Sequence, residues 1–243
     1  MHRFFTDRNS ICGDTVKISG DDAHHISKVL RLKEDDEIIV CDKEGTDYHC
    51  SIKLISKDEV EAWILKKETS SSEPPVKITL YQGVPKGDKL ESVIQKCVEL
   101  GAFKIVPVAM KRSVAVIKDK EKKKVRMQRI AQEASKQCQR AVVPEVSEVL
   151  SFKEALLHAQ ENDLKLLPYE AENKNKLKDI LKENKNSKTI AVFIGPEGGF
   201  DEEEISLARQ SGFQILTLGP RIMRTETAPL ACISAIMYEI GDW

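Results

Sequence analysis

A chain of 243 residues exceeds one average domain, so one large domain or two unequal ones fit it, with room for a sizeable core. Charged residues make up 32% of the chain yet leave a formal net charge of -1, which excludes a uniformly basic nucleic-acid binder; any such surface is local. Six cysteines, Cys12, Cys41, Cys50, Cys97, Cys138 and Cys232, form no CxxC pair and no Cys/His group at zinc spacing, so they read as reduced thiols in a protein without a metal.

In chain order, "MHRFFTDRNS" carries charge where a signal peptide needs its apolar stretch, and nowhere does an apolar run approach the roughly 18 residues of a membrane span. A soluble, cytoplasmic protein with no membrane partner is expected. Next, "DDAHHISKVLRL" offers Asp21 as an N-cap and Ile26, Val29 and Leu30 at the spacing of a short amphipathic helix. Three strand candidates follow, "EIIVCD", "YHCSIKLIS" and "EVEAWILKK", joined by polar turns at Gly45 and at Lys57-Asp58. About 70 residues of mostly strand predict a small barrel or curled sheet, a binding module by size. The serine and proline stretch "KKETSSSEPP", residues 66 to 75, reads as a linker, which puts the domains at 1–70 and 74–243.

After it the rhythm is that of a parallel α/β sheet: the strand "VKITLYQGV", the helix "KGDKLESVIQKCVELG" closed by Gly101, and the strand "KIVPVAM". The beat returns with "TIAVFIG", a helix from Asp201 to about Ser211 stopped by Gly212, "FQILTLG" and a last helix. Between the halves, residues 111 to 140 carry eleven Lys/Arg against three acids, a local excess of eight. Such a run can hold phosphates, or it can be a solvated helix face. Glu133, Gln137 and Arg140 recur at i, i+4 and i+7 and so share one helix face, a polar stripe better suited to a site than to a core.

Two strand-end loops concentrate the polar chemistry. In "IGPEGGFDEEEI", Asp201 with Glu204 makes a capping box and Phe200 with Ile205 a hydrophobic staple, which explains the helix start without function. Left over are Gly195, Pro196, Glu197, Gly198 and Gly199 at the carboxyl end of a buried strand, where open α/β sheets bind ligands. The three glutamates that follow repel a phosphate, and no GxGxxG or GxxxxGKS/T is present, so a cationic or zwitterionic cofactor is favoured. The second loop, "LGPRIMRTETAPL", precedes a helix whose N-cap is Thr225 or Thr227, with Pro229 in the first turn and Ala228, Ala231, Cys232 and Ala235 as a stripe of small residues. If the two strands are neighbours, the loops face one another across one crevice. Arg221, Arg224 and Glu226 are then either site residues or a salt-bridge cluster capping the helix.

"HHISKVLRLKEDD", "PKGDKLESVIQKCVELG", "RSV", "EASKQCQR", "IGPEGGF" and "LGPRIMRTETAPLACISAI" resemble, in order and over nearly the whole chain, the motifs of the RsmE family, bacterial methyltransferases acting on N3 of a uridine in 16S ribosomal RNA. The resemblance implies a SPOUT methyltransferase: an α/β domain with a C-terminal trefoil knot, working as a homodimer on the small ribosomal subunit and preceded by a PUA-like RNA-binding domain. S-adenosylmethionine is then the cofactor, held by Gly195, Pro196, Glu197, Gly198, Gly199, Leu218, Gly219, Arg221, Ile222 and Met223, with Glu170 lining the same pocket. RNA is expected on Arg31, Lys86, Lys111, Arg112, Lys122, Lys123, Lys124 and Arg140. Three positions depart from the family's pattern: Asp35 and Gln139 stand where glycine is usual, and Met127 where tryptophan is common.

Chemically, a uridine N3 becomes nucleophilic only as its proton leaves, and negative charge then spreads onto the flanking carbonyl oxygens. A fixed arginine stabilises that charge and a carboxylate takes the proton, which assigns Arg224 to the first role and Glu226 or Glu197 to the second. Two rival functions are a SPOUT enzyme acting on another RNA or atom, and a non-enzymatic RNA-binding factor of ribosome assembly. The second rival leaves the glycine-bearing loops without a purpose.

Overall fold

The computed structural model describes residues 1–113 and 119–243; Val114 of the "RSV" motif and Lys118 of the basic run lie outside the described residues. The chain divides into two compact units, one of Met1–Glu73 with Ser135–Val143 and one of Pro74–Ala134 with Pro144–Trp243.

The first unit contains β1 (His2–Phe5), β2 (Ile11–Cys12), β3 (Thr15–Ser19), α1 (Asp21–His24), which runs on as a π-helix over His25–Leu30, and the strands β4 (Glu37–Cys41), β5 (Thr46–Ile55) and β6 (Glu59–Thr69). The sheet order is β1-β4-β5-β6-β3-β2, with β1 parallel to β4 and every other pair antiparallel. Strand alternation sends Val16, Ile18, Ile38, Val40, Val60 and Ala62 to the inner face, where they close on Phe4 and Ile26. Three of the six strands are not signalled by periodicity, because β1, β2 and β3 are only two to five residues long. Asp21 is not the N-cap: Gly20 holds that place at a φ of 68°. The neighbouring Asp22 is instead buried and accepts from Lys136.

The 66–75 stretch is less of a linker than its composition implies. Its first residues complete β6, and Glu73 accepts from the Arg140 guanidinium at 2.7 Å and from the Ala141 and Val142 N–H groups. Arg140 is thereby corrected twice. It lies beyond the helix that ends at Gln137, past Gln139 at a φ of 61°, so it shares no helical face with Glu133 and Gln137. It is also buried against Glu73 and therefore presents no charge to RNA.

The second unit is built on β7 (Lys77–Gly83), α2 (Lys89–Glu99), β8 (Lys104–Ala109), the basic helix α3 (Lys120–Gln137), whose last turn belongs to the first unit, β9 (Glu145–Val146), β10 (Leu150–Ser151) and α4 (Phe152–His158). It continues with β11 (Leu164–Pro168), α5 (Leu177–Glu183), β12 (Thr189–Ile194), α6 (Glu202–Gln210), β13 (Gln214–Leu216) and α7 (Ala228–Glu239). The sheet is parallel throughout, in the order β10-β8-β7-β12-β11-β13, with β9 also on β8. Its central strands β7 and β12 are apolar on both faces because helices cover both. Tyr81 and Phe193 stack at 4.3 Å between centroids in the core, and the Tyr81 hydroxyl meets His158 Nδ1 at 2.6 Å. Asp201 and Glu204 form the expected capping box of α6, and Phe200 and Ile205 are both buried in the core.

β12 and β13 are not neighbours; β11 lies between them. The crevice therefore has three walls, and the middle one brings Tyr169 and Glu170.

Candidate active site

At the carboxyl ends of β11, β12 and β13 the chain leaves a cavity of about 1620 Å³, lined by Pro168 to Glu170, Ile194 to Phe200 and Thr217 to Glu226, with Lys89 of α2 and the small-residue side of α7. The location follows from the parallel sheet, whose strand ends leave a cleft where the connections part to opposite faces.

Close packing, more than open space, explains the glycines. Gly199 has a φ of 68°, and a Cβ there would lie 2.5 Å from Glu170 Oε1. At Gly198 a Cβ would lie 2.9 Å from Arg112 Cβ, and the Arg112 Nη1 donates to the Gly198 carbonyl at 3.2 Å. Gly83, at the end of β7, meets the loop from behind: a Cβ would sit 2.6 Å from Pro196 N. Neither Gly83 nor its neighbour Gln82 is flagged by the sequence as part of the site, since both lie inside an ordinary apolar strand. Gly219 differs, with a φ of 117° and open space where its Cβ would be.

Thr227 is the N-cap residue of α7, but its side chain makes no capping bond. Thr225 is buried and turned to other work: its hydroxyl donates to the Gly195 carbonyl at 2.7 Å and accepts from Gln82 Nε2 at 3.0 Å. The alternative in which Arg221, Arg224 and Glu226 form a capping cluster does not describe the molecule. Both arginine side chains are exposed and make no ion pair or hydrogen bond among the described residues. Glu226 faces Lys89 at 3.6 Å, and its buried Oε2 makes no hydrogen bond.

The two candidate bases differ in their surroundings. Burial alone would raise the Glu197 carboxyl, but its own N–H, the Lys89 ammonium at 3.0 Å and the Lys86 N–H at 3.1 Å outweigh it and hold the group below the usual carboxylate value. A carboxylate held that way is a weak proton acceptor. Lys89, which sequence reasoning passed over, thus bridges both acids, and their charge raises its own pKa.

The expected RNA contacts fall into different groups. Lys111 pairs with Asp201 at 3.1 Å and Glu203 at 2.6 Å, and Arg112 supports the Gly198 loop, so both brace α6 and its entry. Lys86 has an exposed side chain while its N–H holds Glu197. On α3, Lys122 meets Asp119 at 3.3 Å and Lys124 meets Glu148 at 3.1 Å, with Lys123 half-buried beside them. Arg31 belongs to the first unit, exposed at a φ of 54° where the π-helix ends. Met127 is buried.

The cavity's walls fit S-adenosylmethionine. The main-chain N–H groups of Leu218, Arg221, Ile222 and Met223 make no hydrogen bond among the described residues, so they stand ready for a ligand's acceptors. Glu170, Glu197 and Glu226 supply negative charge for a cationic ligand. No group of three or more His, Cys, Asp or Glu among the described residues is arranged to hold a metal, and no described helix is long and apolar enough to cross a membrane.

An RNA methyltransferase domain model matches residues 72–237 and an RNA methyltransferase PUA domain model matches residues 18–65. Fold and site together define a SPOUT-type α/β methyltransferase joined to a PUA-like domain. Ribosomal RNA small subunit methyltransferase E of Bacillus subtilis is 38% identical over 231 residues, 93% of this chain and 90% of the relative. That of Aquifex aeolicus is 32% identical over 98% of this chain and 99% of its own. The crystal structure of the Neisseria gonorrhoeae enzyme bound to S-adenosyl methionine superposes with a TM-score of 0.88 at 36% identity, covering 100% of this chain and 99% of that one. The chain belongs to the ribosomal RNA small subunit methyltransferase E family.

Proposed function

We propose that the protein transfers the methyl group of S-adenosylmethionine to N3 of a uridine in 16S ribosomal RNA of the small subunit, and so works in the cytoplasm. The observation that carries the mechanism is Arg224, an exposed guanidinium on the cavity wall that pairs with no carboxylate among the described residues, two residues from an acid whose Oε2 makes no hydrogen bond among them. When bound, the cofactor supplies an activated methyl and its own leaving group, so the chain needs to bind, orient and manage charge. The loops at 195–199 and 218–223 hold it through main-chain groups. Arg224 stabilises the negative charge that grows on the uracil carbonyl oxygens as N3 loses its proton. Glu226 takes that proton; Glu197 does not, because Lys89 and two N–H groups already commit it.

Pairing as a homodimer is supported by Ile222, Tyr238 and Trp243, large apolar side chains that are 84%, 74% and 60% exposed on the rim of the cavity, beside the small residues of α7. A C-terminal knot is supported by the loop before α7, which reaches back to Gly195 and Gln82 while α7 packs on α2, α5, β7 and β12.

Arg224→Ala should slow single-turnover methylation at saturating cofactor and RNA by about 10²-fold or more, the usual scale for one lost preorganised donor. Its melting temperature should stay near wild type, since the exposed side chain makes no hydrogen bond or ion pair among the described residues. Nucleoside analysis of small-subunit RNA from a strain lacking the gene should show a uridine missing its N3 methyl. A missing ribose methyl, or an unmodified profile, would point to another target.

A further inference from the structure

We infer that Gln82 and Thr225 form a buried latch that fixes the cofactor loop and the acceptor-side loop to each other, making Gln82 a positioning residue for methyl transfer. This rests on the reading of Arg224 and Glu226 given above. Gln82 is fully buried at the end of β7 and takes no part in lining the cavity. Its Nε2 donates to the Gly83 carbonyl at 3.1 Å and to Thr225 Oγ1 at 3.0 Å, and the Thr225 hydroxyl donates to the Gly195 carbonyl at 2.7 Å. Each bond sets the direction of the next. The Gly83 carbonyl can only accept, which fixes the amide's orientation; the Thr225 hydroxyl has one proton and spends it on Gly195, so it must accept from Gln82. One end of this chain is Gly195, the first residue of the cofactor loop. Its middle, Thr225, lies between Arg224 and Glu226, and its other end is Gln82 on β7.

Stability does not explain this glutamine. With Nε2 committed twice, Oε1 is left buried with no hydrogen-bond partner, a state that costs free energy and that an apolar side chain of the same length avoids. The residue's contribution must lie in what it orders. Reacting groups need to be held within a fraction of an ångström, and the Thr225–Gly195 hydrogen bond between the two loops, oriented from behind by Gln82, does that where apolar packing does not.

The test compares Gln82→Met, Thr225→Val, Thr225→Ser, the Gln82→Met/Thr225→Val double variant and Arg224→Ala as full-length proteins. Gln82→Met and Thr225→Val should melt within a few degrees of wild type and bind S-adenosylmethionine within about threefold by calorimetry. Their single-turnover rates at saturating cofactor and RNA should fall by about 10-fold or more. The double variant should be no slower than the slower single one, because the two residues act as a unit. Thr225→Ser, which keeps the hydroxyl, should recover most of the rate. A normal rate in folded Gln82→Met, beside a slow Arg224→Ala, overturns the latch and leaves the reaction assignment standing. A normal rate in Arg224→Ala overturns that assignment instead. An unfolded Gln82→Met, or a defect confined to cofactor affinity, would show the tether to be structural and also overturn the latch.

Discussion

Asp35 and Gln139 both depart from the glycine usual at their positions, and both adopt a φ that glycine serves best, 70° and 61°. A side chain in that region costs about 1–2 kcal/mol, and glycine gives back part of the difference through its freer unfolded chain. Both side chains are exposed, so nothing else offsets the strain. Asp35→Gly and Gln139→Gly should each raise the unfolding free energy by about 0.5–1 kcal/mol, read as a higher denaturant midpoint at unchanged slope. Gly83→Ala works in the opposite sense. Its Cβ would collide with Pro196 N, and the loop must move off β7, so S-adenosylmethionine affinity should fall at least about 10-fold by calorimetry. Motif glycines such as Gly198 and Gly199 were legible because a loop needs a reason for them. Gly83 and Gln82 were not, because what they touch arrives from more than a hundred residues away, and no local pattern encodes such a partner.

Elements with long apolar runs read correctly from periodicity, and so did those with strong stop signals. Gly101, at a φ of 93°, ends α2, and the capping box starts α6 where expected. The failures have physical causes: strands of two to five residues carry too short a period, and a helix face cannot be extrapolated past Gln139. A charge run is likewise less than its sum, since Lys122 and Lys124 already meet acids. The Lys122→Glu/Lys123→Glu/Lys124→Glu variant should still weaken RNA binding and flatten its salt dependence, leaving cofactor affinity unchanged; an unaltered salt slope would assign α3 to solvent. Strand pairing carries its own pH dependence. Asp163, just before β11, accepts from the Lys188 and Thr189 N–H groups at the start of β12, at 2.8 and 2.9 Å, and its carboxyl is held below the ordinary value of 3.8. A depressed pKa stabilises the fold above that ordinary value, and the benefit disappears as pH falls through the folded one. Asp163→Asn should therefore melt lower than wild type at pH 7, with the gap closing below about pH 3.8.

For the molecule as a whole, the homodimer proposed above predicts that Tyr238→Asp with Trp243→Asp weakens self-association by at least about 30-fold in sedimentation, the scale for losing aromatic anchors. An unchanged association would free that apolar rim for another partner. The parallel sheet has a further consequence, for the order in which the protein comes into being. β7 is made early, yet its inner neighbour β12 begins only at Thr189, and the hydroxyl that Gln82 awaits is 143 residues downstream. Non-local parallel pairing is slow, and an unpaired apolar strand is exposed meanwhile. On the ribosome, a chain halted before Thr225 would display β7 and the glycine loop without the group that ties them. By the latch proposed above, methylation requires the loop that carries Thr225, and a copy halted before it should be inactive.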